Sequence, residues 1–163
     1  MKKCWICLLF VLMLVGCGSV ETFETVDDEV IQPVMATARE LSLALPDSSA
    51  AQAMQSEDGS KLYFCDGYVL TVQTLNGGDM ERTAKDLCGF GTDSLRMVET
   101  VNGEYKRRDW VWTAAGEGGD NIGRTAVLDD GHYHYCVTVM ADAGAAGDLE
   151  SQWNTLFSSL CLS

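Results

Sequence analysis

The 163-residue chain predicts an α+β fold: an antiparallel sheet of about seven strands with a middle helix and an amphipathic C-terminal helix packed on it. Three observations predict it. Short apolar or alternating runs succeed one another from Arg39 to Met140. The breaks between them carry turn residues, as at Asp66-Gly67, Asn102-Gly103 and Asp129-Asp130-Gly131, and short turns between consecutive strands require antiparallel pairing. Finally, Leu149, Trp153, Leu156, Phe157 and Leu160 recur at helical spacing and make one apolar stripe that needs a sheet to cover.

The first predicted strand is Arg39 to Leu45, where Leu41, Leu43 and Leu45 alternate with polar or small residues until Pro46. Ser48 to Met54 reads as a short helix capped by Ser48 or Ser49. A hairpin follows: Lys61 to Cys65, the Asp66-Gly67 turn, then Tyr68 to Leu75. After Asn76-Gly77-Gly78, Asp79 is placed to cap a helix running to Cys88, with Met80, Ala84, Leu87 and Cys88 on one side and Gly89 closing it. Four strands complete the sheet: Leu95 to Val101, Tyr105 to Ala114, Arg124 to Leu128 and His132 to Met140. Asp148 is the expected cap of the terminal helix.

Met1-Lys2-Lys3 opens the chain, and an uncharged apolar run follows from Cys4 to Val15, the pattern of a signal peptide. The run is too short for a mature span, which needs about twenty apolar residues. Leu14-Val15-Gly16-Cys17 resembles the lipobox of bacterial lipoproteins, in which small residues admit the peptidase and the cysteine thiol takes up diacylglycerol. The resemblance implies cleavage before Cys17, lipidation there, and a place on the extracytoplasmic face of the cell membrane. For a Gram-negative cell the resemblance further implies that Gly18, in place of an aspartate after the cysteine, leaves the usual inner-membrane retention signal out; in a Gram-positive cell the point has no force. The expected organisation is a signal peptide over residues 1–16, a lipidated cysteine and acidic tether over 17–33, and a single domain over 34–163.

Cleavage removes 16 of the 163 residues together with Lys2 and Lys3, leaving 147 residues with nine basic and 24 acidic side chains, a net charge of −15. Such a surface repels phosphate backbones, so no nucleic-acid partner is expected. The one basic cluster, Lys106-Arg107-Arg108, adjoins Asp109 and reads as a solvated strand end. Glu21, Glu24, Asp27, Asp28 and Glu29 crowd the tether, which would be repelled by anionic headgroups. Cys65, Cys88, Cys136 and Cys161 remain after processing; they are expected either as two disulfides, with three possible connectivities, or as buried thiols.

From Asn121 to Leu162 the chain resembles the Mog1/PsbP-like family. The carrying residues are Gly123-Arg124-Thr125-Ala126, the strand Tyr133-His134-Tyr135-Cys136-Val137-Thr138-Val139, and a terminal helix ending Leu156-Phe157-Ser158-Ser159-Leu160. The family's closing phrase carries an aromatic where this chain has Ser158-Ser159-Leu160-Cys161-Leu162. The resemblance covers about a quarter of the chain, brings no catalytic motif, and implies a binding or assembly factor rather than an enzyme.

Candidate sites are few. His132 and His134, at i and i+2, are expected on the more exposed face of one strand near Asp129 and Asp130, where they are the candidate metal ligands. Without a third fixed ligand, two polar residues on a solvated face is the simpler reading, and no cofactor is called for. Gly116 to Gly123 joins two strands and carries two acids and no lysine, so it is expected as a long mobile hairpin loop rather than a phosphate cradle. Trp110 and Trp112 share a strand face and are expected to pack beneath the terminal helix, with an aromatic binding shelf as the alternative. No nucleophile motif appears, and Asp129 and Asp130 are adjacent acids in a turn. The functional expectation is a lipid-anchored, non-enzymatic module for an envelope protein or small ligand. Its rivals are a metal-dependent or hydrolytic surface enzyme using His132 and His134, and a structural envelope component.

Overall fold

The computed structural model describes residues 36–45, 51–57 and 59–163. The lipobox, Cys17, the acidic tether and residues 46–50 lie outside them. Nine strands are described: β1 (Leu41–Ser42), β2 (Ala51–Gln55), β3 (Lys61–Cys65), β4 (Tyr68–Asn76), β5 (Val98–Asn102), β6 (Tyr105–Gly116), β7 (Gly119–Asp129), β8 (Tyr133–Asp142) and β9 (Cys161–Leu162). Two helices, α1 (Met80–Cys88) and α2 (Ala146–Ser158), complete the fold.

The main sheet has seven antiparallel strands in the order β2-β3-β4-β8-β7-β6-β5, as the α+β reading requires. Turn chemistry sets the hairpins. Gly67 (φ 79°) lets Cys65 face Tyr68 across the β3–β4 turn, and Gly103 (φ 58°) does the same for Asn102 and Tyr105. β8 returns to pair with β4 from Val69–Met140 to Asn76–Tyr133, closing β5 to β8 onto the first hairpin.

Side-chain alternation divides the sheet into two faces. On one, Leu70, Ala126, Leu128, Tyr135, Val137 and Val139 meet the stripe Leu149, Trp153, Leu156 and Phe157 of α2. Each fully buried side chain of that kind stabilises the fold by about 1.5–3 kcal/mol. On the other face, Trp110, Trp112, Val127 and Cys136 lie under α1, whose Ala84 is fully buried, and under Leu95 and Met97 of the connection that follows it. Asp79 caps α1 by accepting from the Arg82 amide at 3.0 Å, and Gly89 (φ 81°) closes it by donating to the Lys85 carbonyl.

Several expectations are corrected. The strand expected over Arg39 to Leu45 is reduced to β1, which pairs only with β9 in a separate two-stranded sheet, while Leu41, Leu43 and Leu45 pack against the α2-side core. The described part of the expected Ser48–Met54 helix is strand: β2 takes the sheet edge beside β3, where paired backbone groups outweigh the helical preference of Ala-Gln-Ala-Met. Residues 116–123 are not a long loop. The β6–β7 ladder runs on to Gly116–Gly119 and leaves Glu117-Gly118 as a tight turn. The ladder persists because Gly123, facing Trp112, has no side chain: a Cβ there would lie 2.2 Å from the indole ring. Trp110 and Trp112 therefore pack on the α1 face, not beneath the terminal helix. That helix starts earlier than expected. A 3₁₀ turn, Ala143–Ala145, leads into it, Asp142 accepts from the Gly144 amide, and Asp148 is a first-turn acid rather than the cap.

Candidate functional site

Only His134 lies on β8 and faces α1, and the two histidines have different surroundings. His132 precedes the strand and is exposed, its amide donating to Asp130. His134 is 1% exposed, because α1 lies over its face of the sheet. The expected pair on a solvated face is thus not formed; the alternation continues, but the helix covers it. Among the described residues no group of three His, Cys, Asp or Glu side chains is arranged to hold a metal ion.

Around His134 the sheet and α1 build a polar thread. Thr83 Oγ1 lies 2.8 Å from His134 Nδ1, and Asp129, opposite His134 in the β7–β8 register, has Oδ2 3.7 Å from Nε2. The same Asp129 oxygen accepts from Arg108 at 3.1 Å, and Arg108 also pairs with Glu99. Burial holds the imidazole below its ordinary pKa; Asp129, Asp130 and Asp79 oppose that shift and Arg108 adds to it. Hydroxyl, imidazole and carboxylate are the parts of a nucleophile relay, yet Thr83 is 3% exposed in mid-helix and the Asp129 contact is longer than a hydrogen bond. The arrangement satisfies a buried histidine and fastens α1. Asp130 organises the turn instead: it accepts from the His132 and Tyr133 amides and the Tyr135 hydroxyl. Partial burial opposes these bonds, but together they lower its pKa.

Cys136 is buried on the α1 face, where desolvation pushes its thiol up to about 12. Cys88 donates to the Ala84 carbonyl, and Cys65 is half-buried against the α2-side core. Cys161 lies exposed on β9. Cys88, Cys136 and Cys161 are free thiols.

A second place was not singled out in the sequence. Beside α2 lies a cleft of about 400 Å³ lined by Val111 and Ile122 from the sheet, Arg124 from β7, and Glu150, Trp153 and Asn154 from the helix. The Arg124 guanidinium stands 4.3 Å over the Phe157 ring and donates to Asn154 Oδ1 at 2.8 Å. Its nearest acid, Asp109, is 4.0 Å away and already holds Arg107 through bonds of 2.7 and 2.8 Å. Burial, offset by Asp109 and reinforced by Arg107, lowers the Arg124 pKa. The Trp153 indole N–H is buried with no hydrogen-bond partner. The only advance signal was Arg124 standing inside an apolar strand.

No family model matches the sequence, and no curated protein matches it. Solved structures do resemble it. A protein from Bacteroides thetaiotaomicron VPI-5482 superposes with a TM-score of 0.52 at 13% identity over 76% of this chain. This chain spans 45% of that protein's length. The Saccharomyces cerevisiae Ran-binding protein Mog1p gives 0.49 at 10% identity, covering 77% of this chain and 96% of its own. LpqN, involved in cell envelope biogenesis of Mycobacterium tuberculosis, gives 0.48 at 10% identity, covering 78% and 86%. At 13% identity the likeness to the Bacteroides thetaiotaomicron protein is one of fold.

Proposed function

We propose that this chain is a lipid-anchored extracytoplasmic binding module: Cys17 carries the lipid, the acidic segment after it is the tether, and the α+β domain captures a ligand or partner without chemistry of its own. The observation that carries the anchor is Leu14-Val15-Gly16-Cys17 directly behind a charged start and an apolar run. Two or three acyl chains, at about 0.8 kcal/mol per buried CH₂, make such an anchor lasting. Capture without catalysis is supported by the way His134 is spent, sealed between Thr83 and Asp129, while a partly charged cleft stays open beside α2.

The intact mass of the protein extracted from membranes of its own host tests the anchor. The expected mass is that of the chain beginning at Cys17 plus diacylglycerol, and Cys17→Ser should move the protein out of the membrane fraction. An unprocessed or unlipidated mass overturns the reading. Capture by the anchored protein of a ligand or envelope protein, seen by native mass spectrometry or pull-down, tests the other half.

A further inference from the structure

We infer that the α2 cleft is a carboxylate site, built to hold an α-carboxylate attached to an apolar side chain. The inference deepens the binding-module reading and rests on it. Around Arg124 the charges do not balance: Arg107 and Arg124 face the single carboxylate of Asp109, which Arg107 already holds at both oxygens. One partly buried positive charge is therefore left over, in a chain whose formal net charge is −13. Its one hydrogen bond to a protein side chain goes to a neutral amide, Asn154, although a guanidinium carries five donors in a fork that fits a carboxylate.

Trp153 lines the same cleft, is 5% exposed, and keeps its buried indole N–H unpaired, so that group reports on what occupies the wall beside it. The walls suit the rest of such a ligand. Val111 is 56% exposed and Ile122 half-buried beside it, so an aliphatic side chain would cover apolar surface now open to water. Glu150 stands on the rim one helical turn from Asn154, which disfavours a second negative charge and offers a partner to an ammonium. Two sources present this chemistry: a free apolar amino acid, whose ammonium would pair with Glu150, and the C-terminus of a peptide, which has none nearby.

The test uses the full ¹⁵N-labelled chain in detergent micelles and follows the Trp153 indole N–H resonance during titration with leucine, N-acetyl-leucine and N-acetyl-leucinamide. Saturable movement with the two carboxylates and none with the amide is the expected result. Tighter binding of leucine, lost in Glu150→Gln, assigns the free amino acid; equal binding assigns a chain terminus. Arg124→Gln should weaken either carboxylate roughly tenfold or more, as expected for losing a hydrogen-bonded charge. Should that variant fail to fold, Val111→Glu, at an exposed wall position, should abolish binding in a folded domain. No movement with either carboxylate, or equal movement with the amide, overturns the site. Capture of a partner by the anchored protein in that event leaves the binding module standing and removes only this cleft.

Discussion

Under α2 the sheet offers Leu70, Leu128, Val137 and Val139, and the helix answers with Leu149, Trp153, Leu156 and Phe157, so that interface is apolar throughout its centre. Under α1 the same strands offer Thr125, His134, Cys136 and Thr138, and there hydrogen bonds thread the packing: Trp112 to Thr125, Thr125 to Thr138, and Thr83 to His134. Apolar burial is insensitive to pH and indifferent to direction. A buried polar thread is worth little net but costly to break, and it fixes how the helix sits. The α2 side therefore supplies most of the stability, and the α1 side a particular seating that depends on protonation.

The largest effect belongs to the α2 face. Phe157→Ala should cost about 3–5 kcal/mol in denaturant unfolding, since the ring is fully buried and its loss leaves a cavity. Leu87→Ala, on the half-buried side of α1, should cost distinctly less. Equal losses would erase the contrast between the faces.

Gly123→Ala comes next. Its Cβ would meet Trp112 at 2.2 Å, so either the indole or the strand must shift, costing about 1–3 kcal/mol. Trp112 is 8% exposed, and its emission should move to the red as it is displaced. Unchanged stability and emission would mean that the indole does not lie on Gly123.

The polar thread is tested by removing one partner and then both. His134→Phe leaves the buried Thr83 hydroxyl without its partner and should cost about 1–3 kcal/mol; adding Thr83→Val should recover part of that. The pH dependence has a definite sign. Burial lowers the folded pKa of His134 below its ordinary 6.5, so the unfolded chain binds the proton more readily. Its contribution is complete above 6.5 and is lost as the pH falls below that value toward the folded pKa. Thermal unfolding of the wild type should show this limb, and the double variant should lack it.

Much of this architecture is written locally. Asp79 and Gly89 bound α1, glycines at positive φ mark the hairpins, and the stripe from Leu149 to Phe157 announces a helix over a sheet. What escaped reading is what depends on partners distant in sequence. The alternation around His134 told correctly that it faces away from Tyr133 and Tyr135; only α1, some fifty residues earlier, decides that this face is covered. Ala51 to Gln55 has no strand signature of its own and is strand because β3 has an open edge. The cleft was hidden for the same reason: Arg124, Asn154 and Trp153 are ordinary residues separately, and the charge left over at Arg124 exists only because Arg107 claims Asp109.

The smallest expected effect distinguishes two ways in which the α1 side meets acid. Glu81, in the first turn of α1, accepts from both the amide and the hydroxyl of Thr92 and pairs with Lys85 at 2.9 Å, stitching the connection after the helix back onto it. The Thr92 hydroxyl bond chiefly, then Lys85 and the Thr92 amide, hold its carboxyl down to about 2 from an ordinary 4.5. A depressed carboxyl contributes its stability above 4.5 and loses it as the pH falls toward 2, so its loss sets in at lower pH than that of His134, which begins at 6.5. Acid unfolding of the wild type should therefore have two limbs. Glu81→Gln should lower the melting temperature slightly at neutral pH, as expected for a solvent-exposed carboxylate, and flatten only the lower limb. The His134→Phe/Thr83→Val variant should flatten only the upper. If either substitution moves both limbs together, α1 is seated by one coupled network, and the separation between its stitch at Thr92 and its fastening at Thr83 must be given up.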